Sequence, residues 1–154
     1  MATYYVSATD GSDSDDGSTA ALAFATIGAG ENAANSAGDI VYIAPGTYRE
    51  QVTHGYSGTS GNRIYFIGDP EAEKFPAVEP GAIRITACDA ARELADGSAN
   101  LYIVKSNGKD YITWKNVHVD GGTSGVSAWD DTNNSYGFYA NSENDYMETI
   151  NCVA

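Results

Sequence analysis

The chain has 154 residues, of which 42% are hydrophobic, and this length and composition fit one globular domain with its own core. Seventeen glycines and eleven tyrosines favour a β-rich fold with many turns. The formal net charge of −13 excludes nucleic acid as a partner, because phosphate binding needs a basic surface. It also disfavours an acidic polysaccharide, unless a local basic patch or a bound cation intervenes.

The cysteine content and the apolar runs limit the cellular context. Cys88 and Cys152 lie in strand-like segments and are expected to be free thiols. No apolar run reaches the length of a membrane span, so no membrane partner is predicted. The first four residues lack the basic and apolar parts of a secretory signal. We therefore expect a mature fragment, or a protein that leaves its cell by another route such as lysis.

Residues 3–7 predict a first strand, and an acidic loop follows it. Asp13, Asp15 and Asp16 lie in this loop close to Gly11 and Gly17, and clustered carboxylates on a bendable backbone are typical of calcium ligands. Their spacing departs from that of an EF-hand loop. The alternative is a loop in which Asp and Ser side chains accept hydrogen bonds from the nearby backbone. Calcium is thus a candidate cofactor.

Residues 24–37 are the best helix candidate, with Thr26 available as the N-cap. Gly28 and Gly30 weaken this prediction, because each costs about 1 kcal/mol relative to alanine inside a helix. We expect the segment to be stabilised by an apolar surface beneath it.

A strand, a corner and a second extended segment follow in residues 40–52. The β-branched and aromatic run from Ile40 to Ile43 predicts a short buried strand. Pro45 and Gly46 then predict a type II corner, because Pro presets φ and Gly permits a positive φ. Strand, corner and strand without a hairpin is an unusual arrangement.

Residues 38–52, GDIVYIAPGTYREQV, carry a family resemblance together with Phe24–Ala25–Thr26–Ile27 and the loop 11–17. They resemble the opening of right-handed parallel β-helix proteins of the pectate-lyase-like superfamily, which includes polysaccharide lyases, hydrolases and bacteriophage tailspikes. The resemblance implies an all-β fold, a right-handed parallel β-helix of about three to five turns with an N-terminal capping strand and a short helix. It implies a single domain over 1–154, with a cap at 1–38 and helix turns at 39–154 that continue or are covered by a partner chain.

Further strands are predicted at residues 63–67, 83–86, 101–104 and 111–119. Their connections are rich in Gly, Ser and Asn, and none predicts a two-residue hairpin. The segment 110–119 recurs at 145–154 with a shift of 35 residues. In a coil of parallel strands, equivalent residues of successive turns stack about 4.8 Å apart. The repeat therefore predicts that Tyr111 lies over Tyr146 and Asn116 over Asn151.

The long segment 121–135 is the first candidate binding site, because long loops without regular structure are often functional. An aromatic plate combined with carboxylates and amides is the mixture that binds sugars by stacking and hydrogen bonds. The candidate residues are Trp129, Asp130, Asp131, Asn133, Asn134 and Tyr136. The alternative is a surface loop with one packed tryptophan.

The remaining polar residues define no catalytic centre. A hydrolytic carboxylate pair would have to come from residues near strand ends, most of which are expected to cap turns: Glu50, Asp110, Asp120, Asp130 and Asp131. His54 and His118 have no predicted partner, and Trp114 is expected in the core. The resemblance transfers no catalytic residue, because family members generally carry theirs on later turns.

Three functions follow as hypotheses. The favoured one is a structural, carbohydrate-facing module of a phage virion, such as a tailspike, fibre or surface protein, located on the virion or outside the cell. It implies a homo-oligomer, expected to be a trimer, or contacts with virion neighbours, and polysaccharide as a partner. The second is the N-terminal part of a polysaccharide lyase or glycoside hydrolase. The third is a purely structural capsid-decorating protein.

Overall fold

The computed structural model describes residues 1–86, 100–120, 134–140 and 146–153, and nearly all of its regular structure is β-strand. One short 3₁₀ helix covers Ala20–Leu22, and one α-helix, α1, covers Ile27–Ala33. The strands are β1 Thr3–Val6, β2 Ile40–Ile43, β3 Gly46–Arg49, β4 Val52–Thr53, β5 Ile64–Gly68, β6 Ile83–Thr86, β7 Asn100–Lys105, β8 Ile112–Lys115, β9 His118–Asp120, β10 Asn134–Tyr139 and β11 Met147–Ile150.

The strands form three parallel sheets that the chain visits in a fixed rotation. The first sheet has the order β1-β2-β5-β8-β11, the second β3-β6-β9, and the third β10-β7-β4. Within the described ranges the chain passes through the first, second and third sheets three times before β11 returns to the first. Every pair of named strands is parallel. These observations agree with the predicted all-β parallel fold.

The core lies between the three sheets, and β2 and β5 alternate buried with partly exposed residues. In the first sheet, Val41 pairs with Phe66, and Phe66 with Trp114, and all three are buried. The second sheet adds Tyr48 and Ile85 to the same core. Stacking in register places apolar side chains of successive turns over one another, so the core continues from turn to turn.

The predicted repeat is confirmed by the pairing of β11 with β8. The rings of Tyr111 and Tyr146 stack with centroids 4.9 Å apart and planes 4° apart. Asn151 Nδ2 donates to Asn116 Oδ1 at 3.3 Å. Both asparagines have left-handed backbones, with φ of 55° and 52°, a conformation that Asn tolerates better than most residues. Asn116 therefore turns the chain between β8 and β9, which splits the single strand predicted at 111–119.

Helix α1 is shorter than predicted, but its cap is the predicted one. Thr26 Oγ1 accepts a hydrogen bond from the backbone N–H of Ala29 at 3.1 Å. A Cβ on Gly30 would lie 2.7 Å from Val6 Cγ2, so this glycine lets the helix pack closely on β1. The residue that weakens the helix in isolation is thus required for its contact with the first sheet.

The corner at Pro45 and Gly46 exists, but it is not the predicted type II turn. Gly46 is the first residue of β3 with φ of 154°, whereas a type II turn needs about +80°. The corner is held instead by Tyr48, whose hydroxyl donates to the carbonyl of Ala44 at 2.8 Å. Burial raises the pKa of this phenol well above its usual range. The prediction failed because a side chain, rather than local turn chemistry, sets the corner.

The connection between β4 and β5 contains a tight turn that the sequence analysis did not predict. Thr59 and Asn62 exchange two backbone hydrogen bonds, of 2.9 and 3.1 Å, around Ser60 and Gly61. The turn residues are Ser-Gly, a weaker hairpin signal than Asn-Gly or Asp-Gly, and no long strand flanks them. The expectation that no connection forms a two-residue hairpin is therefore wrong at this position.

Cys152 is a free thiol, as predicted, and burial raises its pKa. Its Sγ donates to the carbonyls of Ile150 and Trp114 at 3.4 and 3.5 Å. Cys88 lies outside the described residues. Within the described parts of the chain, no helix is long and apolar enough to cross a membrane.

Candidate functional site

Two tyrosines and a lysine form a cluster on the third sheet. The rings of Tyr102 in β7 and Tyr139 in β10 lie 4.3 Å apart. The ammonium group of Lys105 lies 5.3 Å from the centre of the Tyr102 ring. All three side chains are half-buried, so each keeps an accessible side. We call these residues the third-sheet cluster.

The cluster exists because β10 pairs with β7 in a register that places Tyr139 beside Lys105. The same register places Tyr136, a predicted sugar-binding residue, opposite Tyr102, and Asn134 opposite Asn100. The other residues of that prediction, Trp129, Asp130, Asp131 and Asn133, lie outside the described residues. The predicted segment therefore leads directly into the strand that carries Tyr139.

The cluster combines the two features that sugar recognition uses. Tyrosine rings offer flat apolar plates for the C–H faces of a sugar, and their hydroxyls add hydrogen-bonding capacity. A lysine held over a ring is fixed by a cation–π contact and keeps N–H donors for a hydroxyl or carboxylate. Tyr102 and Tyr139 did not stand out in the sequence, because their contact depends on a strand register that no local motif reveals.

The acidic loop uses its carboxylates to hold the backbone. Asp13 Oδ1 accepts from the N–H groups of Ala25 and Thr26 at 2.8 and 3.0 Å, and its Oδ2 accepts from Thr26 Oγ1 at 2.9 Å. Asp16 Oδ1 accepts from the N–H of Ser18, and hydrogen bonds from Ser18 lower the Asp16 pKa. The described residues contain no group of three or more His, Cys, Asp or Glu side chains placed to hold a metal. Calcium at Asp13, Asp15 and Asp16 stays a prediction.

Glu50, a candidate for a hydrolytic pair, lies at the N-terminus of α1. Its Oε1 accepts from the N–H of Ile27 and its Oε2 from the N–H of Gly28, both at 2.8 Å. These are two of the unpaired N–H groups that every helix start exposes. Burial is the largest influence on this carboxyl and raises its pKa, while the two helix N–H groups oppose the shift. Its contacts are structural.

This raised pKa predicts how stability depends on pH. The native state binds the Glu50 proton more readily than the unfolded chain, so this group stabilises the fold on acidification and loses that contribution as pH rises through the native pKa. As the pH is lowered from about 7 to about 4.5, the free energy of unfolding of the native protein should rise relative to that of Glu50→Gln. Urea unfolding of both proteins across this range measures the difference. A difference that moves the other way would show that the helix N–H groups outweigh burial.

His54 and Glu31 form a polar pair inside the coil. His54 Nε2 accepts from the indole N–H of Trp114 at 3.0 Å, and its Nδ1 lies 3.7 Å from Glu31 Oε1. Glu31 Oε1 also accepts from the N–H of Gly55 at 2.8 Å. Both side chains are buried, with 1% of His54 and 5% of Glu31 exposed. Through Trp114, the pair connects α1 and the end of the first turn to the third turn. Among the described residues it does not line a cleft.

Arg63 immediately precedes β5, and its side chain contacts residues of the next two turns of the chain. Its guanidinium donates to Thr113 Oγ1 at 2.5 Å and to the carbonyls of Ile112 and Tyr146 at 2.8 and 2.7 Å. Glu148 accepts from Thr113 Oγ1 and lies 3.7 Å from Arg63 Nε. The contacts of this arginine are therefore structural, and it is a poor candidate for a catalytic cation.

Comparison with known proteins identifies the class of fold. No protein-family profile and no curated protein matches the chain. It is similar to a GH136 lacto-N-biosidase from Eubacterium ramulus, with a TM-score of 0.70 and 21% identity over 98% of this chain and 26% of that one. It is also similar to a rhamnogalacturonan lyase, with a TM-score of 0.58 and 24% identity over 77% of this chain and 28% of that one.

Both are carbohydrate-active enzymes by name. The native form of the lacto-N-biosidase gives a TM-score of 0.69 at 17% identity. At these identities the similarity establishes the fold, and the chain spans about a quarter of the length of each protein.

Proposed function

We propose that this chain forms the first turns of a right-handed parallel β-helix in a carbohydrate-active protein, and that it contributes a glycan-binding surface at the third-sheet cluster. The fold part of the proposal rests on the three parallel sheets and on the structural similarity to the two solved enzymes. Right-handed winding is proposed because nearly all connections between parallel strands of one sheet have that hand.

The observation that carries the binding role is the contact between the tilted rings of Tyr102 and Tyr139, with the Lys105 ammonium group over the Tyr102 ring. Aromatic rings that stay half-exposed on a sheet are suited to stack on sugar rings. The predicted residues Trp129, Asp130, Asp131, Asn133 and Tyr136 precede or belong to the strand carrying Tyr139, and we include them in the proposed surface. No residue is proposed as catalytic.

A panel of immobilised neutral and acidic polysaccharides tests this role. Tyr102→Ala and Trp129→Ala should each weaken retention of a bound glycan by about tenfold, the size expected for one lost stacking contact. Tyr56→Ala is the matched control, because Tyr56 is exposed and lies on the connection between β4 and β5. Retention unchanged in both variants would remove the binding surface from this position. Ultraviolet absorbance of unsaturated products and a reducing-end assay on the same panel test for cleavage.

The virion role favoured by the sequence remains a proposal with its own test. The solved proteins reported above are enzymes, which favours the lyase or hydrolase alternative. A tailspike or fibre component should assemble as a trimer, so light scattering after size exclusion distinguishes the virion role from the lyase or hydrolase alternative. A monomer at all concentrations would count against the virion role and leave glycan binding untouched.

A further inference from the structure

An exposed bend after β7 carries the Asn-Gly pair of the chain, and no other asparagine in the sequence is followed by glycine. Asn107 and Gly108 are both exposed, and both have left-handed backbones, with φ of 54° and 71°. The N–H of Lys109 donates to the carbonyl of Ser106 at 3.0 Å and closes the bend. Positive φ at both central residues is typical of a type I′ turn, for which Asn-Gly is a preferred pair. We call residues 106–109 the Asn-Gly bend.

An asparagine followed by glycine can react with its own main chain. The glycine nitrogen attacks the asparagine Cγ, a C–N bond forms, and the side-chain nitrogen leaves as ammonia with the proton of the attacking N–H. Water then opens the succinimide ring at one of its two carbonyls. The product is aspartate, or isoaspartate, in which the main chain runs through the side-chain carbons. Glycine favours ring closure, because no side chain shields its nitrogen.

The surroundings of Gly108 distinguish the Asn-Gly bend from other places where this ring can form. Asp10–Gly11 and Asp16–Gly17 can give the same succinimide, but a Cβ on the glycine of either pair would lie 2.2 Å from an atom of Phe24. The N–H groups of these two glycines also donate backbone hydrogen bonds, at 2.9 and 2.8 Å. A Cβ on Gly108, by contrast, meets no atom within 4 Å. The Asn-Gly bend therefore has the open space that ring closure and the entry of water require.

The bend lies where three successive turns of the coil meet. Asn107 Nδ2 donates to the carbonyl of His54 at 3.4 Å, and the N–H of His54 donates to the carbonyl of Lys105 at 3.0 Å. The N–H of Ser106 donates to the carbonyl of Tyr139 at 2.8 Å. Conversion of the Asn107 amide to a carboxylate replaces a donor with a charged acceptor that faces the His54 carbonyl. Isoaspartate also adds a methylene to the main chain inside a tight bend, whose length sets the path from β7 to β8.

We propose that Asn107 is a site of spontaneous deamidation in the folded protein, and that the isoaspartate formed there loosens the connection between β7 and β8. The bend opens locally without unfolding of the core, because its central residues are exposed and the space beside Gly108 is empty. The reaction consumes only water, so it is independent of the proposed carbohydrate role.

Incubation of the native protein in mildly alkaline buffer, followed by peptide mapping with mass spectrometry, tests the site. Conversion at Asn107 should be at least about tenfold faster than at Asn62, because Asn62 is exposed in a tight turn of its own but is followed by Arg63 rather than glycine. An isoaspartate-specific methyltransferase distinguishes the two products. Asn107→Gln is the matched variant, because its longer side chain would have to close a larger ring, and it should not convert.

The isoaspartate form, separated by ion exchange, should unfold about 2–4 °C below the unconverted protein. Asn107→Asp carries the new charge on a normal main chain and should lose less, and Asn107→Gln should keep its unfolding midpoint throughout the incubation. Conversion no faster at Asn107 than at Asn62, or conversion in the urea-unfolded chain without any in the native protein, would overturn the site. An unfolding midpoint that isoaspartate leaves unchanged, or lowers only as much as Asn107→Asp does, would overturn the effect on the connection.

Discussion

Replacing His54 with alanine is expected to lower the free energy of unfolding by about 4 kcal/mol. The imidazole fills a position in the core between Phe66 and Trp114, with ring centroids 5.0 and 5.7 Å away. Its removal leaves a cavity and leaves the Trp114 indole N–H without its acceptor. Buried donors without a partner are costly, and large aromatic truncations cost several kcal/mol by themselves.

His118→Ala is the matched control for this experiment. His118 lies in β9 with its side chain exposed, and its loss should change stability by no more than about 0.5 kcal/mol. Urea unfolding followed by tryptophan fluorescence measures both variants, since Trp114 reports directly on the core. His54→Gln, which keeps a polar side chain able to accept from Trp114, should recover part of the loss. Equal stability of the two alanine variants would contradict a structural role for His54.

Replacing Gly68 with alanine is expected to destabilise the protein by about 3 kcal/mol. Gly68 is buried at the end of β5, and a Cβ there would lie 2.4 Å from the carbonyl oxygen of Asn116 and 3.1 Å from Ile83 Cδ1. Gly68 also accepts a hydrogen bond from Asn116 Nδ2 at 3.3 Å. Relief of the clash requires backbone movement at the corner between the first and second sheets, which breaks the Asn116–Asn151 contact.

Gly61→Ala provides the comparison for Gly68, because a Cβ at Gly61 meets no atom within 4 Å. Thermal unfolding should separate the two alanine variants, with Gly61→Ala within about 0.5 kcal/mol of the native protein. If Gly68→Ala proves equally mild, the corner is more adaptable than the close approach of Asn116 indicates.

Most strands of the first and second sheets are predictable from the sequence, because they depend on local signals, whereas β10 begins inside the segment predicted as a loop. The β-branched run from Ile40 to Ile43 predicts β2, and the repeat places Tyr111 over Tyr146 and Asn116 over Asn151. The break at Asn116 is harder to predict, since an asparagine can continue a strand or turn it. The prediction of a type II turn at Gly46 is wrong, because the hydroxyl of Tyr48 holds the corner.

The site is less predictable, because its contacts join residues of different turns. Glu50 looks like a free carboxylate in the sequence. In the structure it accepts hydrogen bonds from two backbone N–H groups at the start of α1, 22 and 23 positions earlier in the chain. His54 looks isolated, yet it meets Trp114 at a separation of 60 positions. Such contacts depend on the winding of the whole coil, whereas composition and periodicity report only on neighbouring residues.

The connection between the second and third sheets is much shorter in the first turn than in the next two. Glu50 and Gln51 separate β3 from β4, whereas positions 87–99 separate β6 from β7 and positions 121–133 separate β9 from β10 in the sequence, and β4, β7 and β10 still pair. The number of residues at this corner is therefore independent of the pairing around it. Doubling a flexible loop costs only about 0.6 kcal/mol in closure entropy. This corner is accordingly where a foreign peptide can be grafted to give the scaffold a new specificity without redesigning its core.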